Sequence, residues 1–328
     1  MLIGILLLVV AAVVLVVGSS LAGDGLASVV GSRLPAGPVR SVVIGLSGAL
    51  ATTVVAVGQD RTALGSGVPS GAAMFVLAAA FGAAVLLGRR RLEVHDAVLY
   101  AAPGAGVVLL GLSVASDRSL TRWTGLLLAV LFVPYVLWVL LDPAQRTTAP
   151  ADGGSDPAGA GLPAPPASVA PPEAAADEGG GGTVGGGLVR GLAGAAAVVG
   201  GAFALVDGAT RVAVRAPLAP GFAGAAIAGS LAALPFALLV VFPRRPGSDD
   251  PGGGAMTVLA GLLTVVPGAA AIVRPFQLDG PSAVCVIAVA LLYAVAAAWM
   301  LLRGRSDRFL GAAVLLAYAA CLVVAGSL

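Results

Sequence analysis

Residues Pro38 to Gly58 read PVRSVVIGLSGALATTVVAVG, an apolar run that carries no charged residue after Arg40. A second run of the same character, Gly221 to Pro243, reads GFAGAAIAGSLAALPFALLVVFP. When Gly45 is aligned with Gly224, the two runs take the same place in two halves of one chain. Each is long enough to cross the hydrocarbon of a bilayer, which needs about 20 apolar residues. We interpret them as the second and seventh helices, at the centre of a duplicated membrane fold.

The composition is that of a protein dissolved in lipid, with 59% apolar residues, 10% charged residues and a mean hydropathy of +1.02. The net charge of +2 is too small to indicate a nucleic-acid partner. Cys285 and Cys321 lie inside apolar runs, which favours packed thiols over a disulfide framework. The single His95 excludes His-based triads and most metal clusters. We therefore expect no enzyme activity, no metal centre and no cofactor.

Ten segments are long and apolar enough to span a bilayer, which predicts an all-α protein with ten transmembrane helices. Between the fifth and sixth lies 142–186, which is rich in Pro, Ala and Gly and predicts a disordered linker. The linker would join a first five-helix repeat over 1–141 to a second over 187–328. We expect the first segment to be a retained helix, with a cleaved signal peptide as the alternative. The segments are 2–22, 38–58, 68–88, 96–115, 121–141, 187–207, 221–243, 253–273, 281–302 and 308–327.

The distribution of arginine predicts the orientation in the membrane. Loops on one side carry Arg61, Arg118, Arg122, Arg211, Arg215 and Arg274. Loops on the other side carry the larger set, namely Arg33, Arg40, Arg89, Arg90, Arg91, Arg146, Arg190, Arg244, Arg245, Arg303, Arg305 and Arg308. The positive-inside rule places the larger set in the cytoplasm. We therefore expect a multi-pass protein of the bacterial cell (inner) membrane, with both termini outside and the linker inside.

Matched positions along the chain indicate an internal duplication. The pairs Asp24/Asp207, Gly45/Gly224 and Gly125/Gly311 are separated by 183, 179 and 186 residues, respectively. Chance similarity between apolar runs would scatter these separations more widely. Because five is odd, successive repeats enter the membrane from opposite sides, so the repeat is inverted and brings helices two and seven together at mid-membrane.

Six stretches resemble one family of membrane proteins. They are VVIGLSGALATT at 42–53, ALGSGVPSGAAMF at 63–75, LTRWTGLLLAVLFVPYVL at 120–137, LVDGA at 205–209, AGAAIAGSLAALP at 223–235 and LAGLLTVVPGAAAIVRP at 259–275. The chain resembles the cation/calcium exchanger superfamily, which includes the sodium/calcium and calcium/proton antiporters. The resemblance implies ten helices in two inverted five-helix repeats, with a cytoplasmic loop after helix five.

The chain departs from the family where the ion should bind. In the family, one glutamate on each of helices two and seven grips the cation, and the matching positions here are Val57 and Phe236. The Asn or Asp ligands of helices three and eight correspond to Ser66 or Gly71, and to Gly254. Calcium needs six to eight oxygen ligands with sufficient negative charge. We therefore expect the family scaffold without its calcium chemistry.

Hydroxyl side chains are the candidates for lining a substrate cavity. One interpretation is a weakly polar lining at mid-membrane. The alternative is that each hydroxyl bonds the carbonyl four residues earlier in its own helix, or holds one helix against another. The candidates are Ser47, Thr52 and Thr53 in helix two, Ser66 and Ser70 in helix three, Ser230 in helix seven, and Thr257 and Thr264 in helix eight.

Asp24 and Asp207 are the only acids matched between the repeats. Because a carboxylate inside the membrane marks function by default, they are the candidates for proton or sodium coupling. Their predicted positions at helix ends also suit solvated interfacial acids. Pro235 is expected to break helix seven, which would free backbone carbonyls for an ion.

These observations favour a secondary carrier with alternating access about helices two and seven, moving a monovalent cation or a proton. One alternative is a transport-inactive structural or regulatory membrane protein on the same scaffold. Another is a carrier of a neutral solute. The lipid bilayer is the one partner that the sequence predicts, and the oligomeric state is not readable from it.

Overall fold

A computed structural model describes residues 1–30, 36–87, 98–141, 184–242, 251–303 and 307–327 of the chain. This part of the chain is helical except for short connections, so the prediction of an all-α membrane protein is confirmed. Its helices are α1 (Leu2–Val30), α2 (Ala36–Gly58), α3 (Thr62–Leu86), α4 (Val98–Ser116), α5 (Arg122–Leu141), α6 (Val184–Arg215), α7 (Pro220–Val241), α8 (Pro251–Val273), α9 (Gly280–Arg303) and α10 (Arg308–Gly326).

Nine of the described helices are long and apolar enough to cross a membrane. The other is α4, whose apolar part is the shorter stretch Ala101–Ser116. Ten crossings and the inverted repeat therefore stay predictions. Most of the linker, 142–183, lies outside the described residues, as do Arg33, Arg89, Arg90, Arg91, His95, Arg146, Arg244, Arg245 and Arg305.

Helices α1 and α6 form a closely packed pair. A Cβ atom at Gly25 would overlap the backbone of Gly191, and a Cβ at Gly194 would overlap the backbone of Ala22. Small residues thus bring the two backbones into direct contact, as in other membrane helix pairs. The opposite faces carry exposed Val and Leu side chains that suit lipid, such as Val9, Val13, Leu188 and Leu192.

Helices α2, α3, α7 and α8 form the centre of the bundle, and α3 is the most deeply enclosed of them. Two of these helices contain a π-helical segment, at Ala78–Ala83 in α3 and at Gly224–Gly229 in α7. The expectation that Pro235 breaks the seventh helix is wrong, because Ser230–Val241 continues as α-helix through it. The irregular part of α7 is instead the segment of small residues that packs against α3.

Three connections and the end of α6 meet on one face of the bundle. The α4–α5 and α8–α9 connections pair as two short antiparallel strands, β1 (Ser119–Leu120) and β2 (Phe276–Gln277). In the α2–α3 connection, Asp60 forms an ion pair with Arg274. The guanidinium of Arg61 reaches α6, where it donates to the hydroxyl of Thr210 at 2.8 Å. The three connections follow α2, α4 and α8, and α6 ends beside them, so these even-numbered helices all end on the same face.

Candidate functional site

The central helices contact one another through their backbones. A Cβ atom at Gly48 of α2 would overlap the carbonyl oxygen of Ala232 on α7. A Cβ at Gly224 of α7 would overlap the carbonyl oxygen of Leu64 on α3. The two central runs of the sequence therefore cross at Gly48, where a larger residue on α2 would overlap the backbone of α7.

Some of the candidate hydroxyls bond within their own helix. Thr52 donates to the Gly48 carbonyl at 2.7 Å, and Thr53 donates to the Ala49 carbonyl at 2.8 Å. Thr264 and Ser70 make the same kind of bond in α8 and α3. All four side chains are buried. Their geometry is that of helix-internal hydrogen bonds, and their role in lining a cavity stays a prediction.

The other candidate hydroxyls bond between helices. Ser47 donates to Ser19 of α1 at 3.0 Å. Ser66 of α3 lies 2.9 Å from the hydroxyl of Ser282 on α9, and Ser230 of α7 lies 3.0 Å from that of Tyr318 on α10. Thr257 of α8 is a polar neighbour of the Tyr135 hydroxyl on α5. These pairs join the four central helices to the helices around them.

Asp24 and Asp207 are both paired with arginine. Asp24 lies 2.8 Å from the Nε of Arg40 at the start of α2. Asp207 lies 2.7 Å from the Nε of Arg211 and 3.6 Å from Arg61. The expectation that both acids lie at helix ends is wrong, because α1 continues to Val30 and α6 to Arg215. Their side chains remain 44% and 38% exposed, so each is an ion pair within reach of water.

A cavity of about 340 Å³ lies between α1, α2 and α7. Its walls are apolar except for Ser20 and Arg40, and it is lined by Val16, Ser20, Arg40, Ile44, Pro235, Leu238, Leu239 and Phe242. Ile44 and Pro235 each lie about one helical turn from the Gly48–Ala232 crossing. The crossing of the two central helices therefore lies about one turn beyond the residues that line the cavity.

The sequence placed the site at helices two and seven, which do line this cavity, but it missed the residues that give the cavity its polar groups. Ser20 was not singled out. Arg40 was used only to predict the orientation in the membrane. It lies near the start of the central run, and Arg33 is the one charged residue between it and Asp24 in the sequence. The sequence signal that could have identified Arg40 is the presence of an acid, Asp24, in the first helix and of a base near the start of the second.

The whole fold is similar to known exchangers. The crystal structure of the H+/Ca2+ exchanger CAX matches with a TM-score of 0.71 and 13% identity, over 99% of this chain and 85% of that chain. The fold is that of the cation exchangers. The sodium-calcium exchanger NCX_Mj, soaked with 10 mM Na+ and zero Ca2+, matches with a TM-score of 0.57 and 16% identity over 98% of both chains.

The same NCX_Mj exchanger soaked with zero Na+ and Ca2+ matches with a TM-score of 0.55 and 17% identity, over 98% of this chain and 99% of that chain. No protein-family model and no curated protein matches the sequence. The resemblance drawn from the sequence motifs is thus confirmed at the level of the fold.

The residues that the sequence comparison aligns with the family's ion ligands are buried in this structure, and their match to those ligands stays a prediction. Val57 is fully buried and Phe236 is 2% exposed. A Cβ at Gly71 would overlap the backbone of Ala225 on α7, so no ligand side chain fits there without moving α7. Helices α2, α3, α7 and α8 contain no Asp or Glu. Among the residues that the structure describes, no three His, Cys, Asp or Glu side chains are grouped to hold a metal ion.

Proposed function

We propose that the protein is a secondary transporter of the bacterial cell membrane, with alternating access about α2 and α7, that carries a monovalent cation or a proton. The observation that carries the proposal is an exchanger fold whose four central helices have no carboxylate. Calcium requires six to eight oxygens and compensating negative charge. Hydroxyl and carbonyl oxygens alone suit an ion that is less costly to dehydrate.

The cavity between α1, α2 and α7 supports the alternating-access part of the proposal. It is lined by both central helices, and its residues Ile44 and Pro235 lie about one helical turn from the Gly48–Ala232 crossing. With the termini outside and the linker in the cytoplasm, this cavity lies toward the cytoplasmic ends of α2 and α7. The arrangement corresponds to a vestibule on one side of a closed crossing. Transport would then require α2 and α7 to separate at Gly48 and to close around Ile44 and Pro235.

Oxygen atoms for such an ion lie around the inner end of the vestibule. Ser20 lines the cavity, and the hydrogen-bonded pair Ser19 and Ser47 follows it toward the crossing. Pro235 has no N–H, so the carbonyl of Leu231 lacks its usual partner within the helix. The positive charge of Arg40 is balanced by Asp24 at 2.8 Å, which lowers the electrostatic barrier to a cation at this entrance.

Flux measurements in proteoliposomes test the proposal. We expect an imposed Na+ or H+ gradient to drive movement of the other ion, and a Ca2+ gradient to drive none. Ser47→Ala should lower the flux, because Ser47 lies beside the crossing. Ser113→Ala is the matched control, since Ser113 is a buried serine of α4 that bonds its own helix at Leu109. If no gradient of Na+, Ca2+ or H+ drives any flux, the transport proposal is wrong.

The two repeat-matched acids are tested in the same assay. If Asp24 and Asp207 couple transport to protons or sodium, the double variant Asp24→Asn, Asp207→Asn should lose coupled flux. Asp60→Asn is the control, because it alters an ion pair with Arg274 outside the α1–α6 pair. Unchanged flux in the double variant would remove both acids from the coupling scheme.

A transport-inactive scaffold is the second candidate function, and the close crossing of α2 and α7 favours it. A Cβ atom at Gly48 would overlap the backbone of Ala232, and one at Gly224 that of Leu64, so the central helices already contact each other through their backbones. Absence of flux for every ion tested, together with an intact fold, would support this function. The protein would then act through the helices that it presents to a partner in the membrane.

A further inference from the structure

The cavity between α1, α2 and α7 has exposed apolar side chains at its edge. Leu238 and Phe242 both line the cavity, and they are 38% and 55% exposed. On α1, Val17 and Leu21 lie next to lining residues and are exposed as well. In a membrane-spanning bundle, exposed apolar side chains of this kind face the hydrocarbon of the bilayer. The cavity is therefore accessible to the acyl chains of lipids.

A guanidinium with unused hydrogen-bonding capacity lies at the end of the cavity away from the Gly48–Ala232 crossing. Arg40 is the charged residue among the described residues that line the cavity. The carboxylate of Asp24 lies 2.8 Å from its Nε. The buried Nε–H nevertheless makes no hydrogen bond within the described part of the chain. Because buried donors are nearly always bonded and a guanidinium carries five N–H donors, this arrangement favours an acceptor from outside the protein.

Asp24 places a negative charge beside this positive one. Its side chain is 44% exposed, and the oxygen close to Arg40 is Oδ1. The second carboxylate oxygen can therefore accept from another donor. An anion alone would pair with Arg40 but would be repelled by Asp24. A group that carries both a positive and a negative charge can pair with both side chains.

We propose that the cavity binds one zwitterionic phospholipid of the phosphatidylethanolamine class. The phosphate pairs with Arg40, the ammonium pairs with Asp24, and part of one acyl chain occupies the apolar walls. The cavity has a volume of about 340 Å³. Its lining on α7 extends from Pro235 to Phe242, about 10 Å along the helix, which suits the first part of an acyl chain. Basic pockets between transmembrane helices bind lipid head groups in this way.

The head group supplies the selectivity of this site. Lipid tails are as apolar as leucine, so a tail gains little by leaving the bilayer for the cavity. The phosphate accepts charge-assisted hydrogen bonds from a guanidinium. The primary ammonium of phosphatidylethanolamine can donate to a carboxylate, whereas the quaternary ammonium of phosphatidylcholine has no N–H. Phosphatidylglycerol has no positive charge to place against Asp24.

Lipid binding and the proposed transport would use the same cavity. An acyl chain between α2 and α7 would have to leave before an ion could reach the crossing, so the lipid would lower the flux. That consequence rests on the proposed function. The binding itself needs no transport and is measured without any gradient, so retained lipid with no flux would leave the site in place. Flux without selective lipid binding would overturn the lipid site alone.

Native mass spectrometry of the full-length protein tests the site. The protein is purified in detergent, stripped of lipid and given equal amounts of phosphatidylethanolamine, phosphatidylglycerol and phosphatidylcholine with the same acyl chains. We expect the wild-type protein to retain one phosphatidylethanolamine and to prefer it by about fivefold, as expected for one ion pair within reach of water. Asp24→Asn should abolish this preference, and Arg40→Gln should weaken retention of all three lipids. Asp60→Asn is the matched control, because it alters an ion pair beyond the other end of α2.

The apolar part of the site is tested by filling the cavity. Leu239→Trp should lower retention of all three lipids, whereas Leu112→Trp, on an exposed face of α4, should not. Size-exclusion profiles identify a variant that fails to fold, and the comparison of the three lipids on the wild-type protein decides in that case. Equal retention of the three lipids by the wild-type protein, or a preference for either of the other two, would overturn the proposal. So would the retention of no lipid, or a preference for phosphatidylethanolamine that survives in Asp24→Asn.

Discussion

At the scale of single residues, Asp279 orders the ends of two helices. Its carboxylate accepts from the backbone N–H of Gly221 at 3.1 Å near the start of α7, and from that of Ser282 near the start of α9. A carboxylate at a helix N-terminus satisfies N–H groups that have no partner within the helix. Gly221 is required at this point, because a Cβ there would overlap the carboxylate of Asp279.

Asp279→Ala should therefore destabilise the protein more than removal of an ordinary cap. Loss of one N-cap typically costs about 1 kcal/mol, so the loss of two should cost about twice as much. Asp307→Ala is the matched control, since Asp307 accepts from Leu310 alone at the start of α10. Thermal denaturation in detergent measures the difference. Equal shifts of the midpoint in the two variants would contradict the double role of Asp279.

The candidate hydroxyls show which residue-scale contacts are readable from sequence. Thr52 and Thr53 bond carbonyls four residues earlier, and this geometry follows from the helix alone. The pairs Ser47–Ser19 and Ser230–Tyr318 depend on which helices are neighbours, so the sequence could name the serine but not its partner. The burial of Val57 and Phe236 was expected from their apolar character.

At the scale of helices, the sequence underestimated the lengths of the first and sixth. Helix α1 has 29 residues and α6 has 32, whereas about 20 residues span the hydrocarbon. The predicted segments ended near Asp24 and Asp207, where the apolar run stops. In the structure, arginine pairs with each acid and the helix continues. A pattern of apolar residues contains no information on such pairing across helices.

The packing of α6 against α1 predicts opposite effects for two glycine substitutions in one helix. Gly194→Ala should destabilise the protein, because the new Cβ would overlap the backbone of Ala22. At Gly200 a Cβ meets nothing within 4 Å. Gly200→Ala should be neutral or stabilising, since Ala favours helix over Gly by about 1 kcal/mol.

Thermal midpoints of the two glycine variants, measured in the same detergent, test this packing. We expect the thermal midpoint of Gly200→Ala to equal or exceed that of the wild-type protein, and the midpoint of Gly194→Ala to be lower. A midpoint for Gly194→Ala that equals that of Gly200→Ala would show that α1 and α6 do not touch along this face. The close α1–α6 contact would then be wrong.

At the scale of the whole molecule, hydropathy predicted a helical membrane protein and the motif resemblance predicted an exchanger-like fold, and both predictions are confirmed. Neither predicted where the helices deviate from regular geometry. Pro235 was the obvious candidate, yet the π-helical segment is Gly224–Gly229, where α7 packs on the backbone of α3. That irregularity arises from contact with a neighbouring helix, so no local pattern could place it. The cavity has the same origin, since three separate helices line it.

The arrangement of the connections predicts which positions are accessible from the same side of the membrane. Ser116 is the last residue of α4 and Gln277 follows α8, and the two connections at these helix ends pair through β1 and β2. Residue Ser155 follows α5 in the sequence, one crossing later. The arginine distribution predicts that the first two lie outside and the third inside. Single cysteines at these positions should therefore differ in their reaction with a maleimide that cannot cross the membrane.

In intact cells, Ser116→Cys and Gln277→Cys should be labelled, and Ser155→Cys should be labelled only after the membrane is opened. The wild-type protein is the control for background labelling, because its own thiols are buried. A reversed pattern would invert the orientation and leave the fold intact. Labelling of Ser116→Cys and Ser155→Cys from the same side would be more serious, because α5 alone separates them. It would mean that α5 does not cross the membrane, and the two five-helix halves could not then be inverted relative to each other.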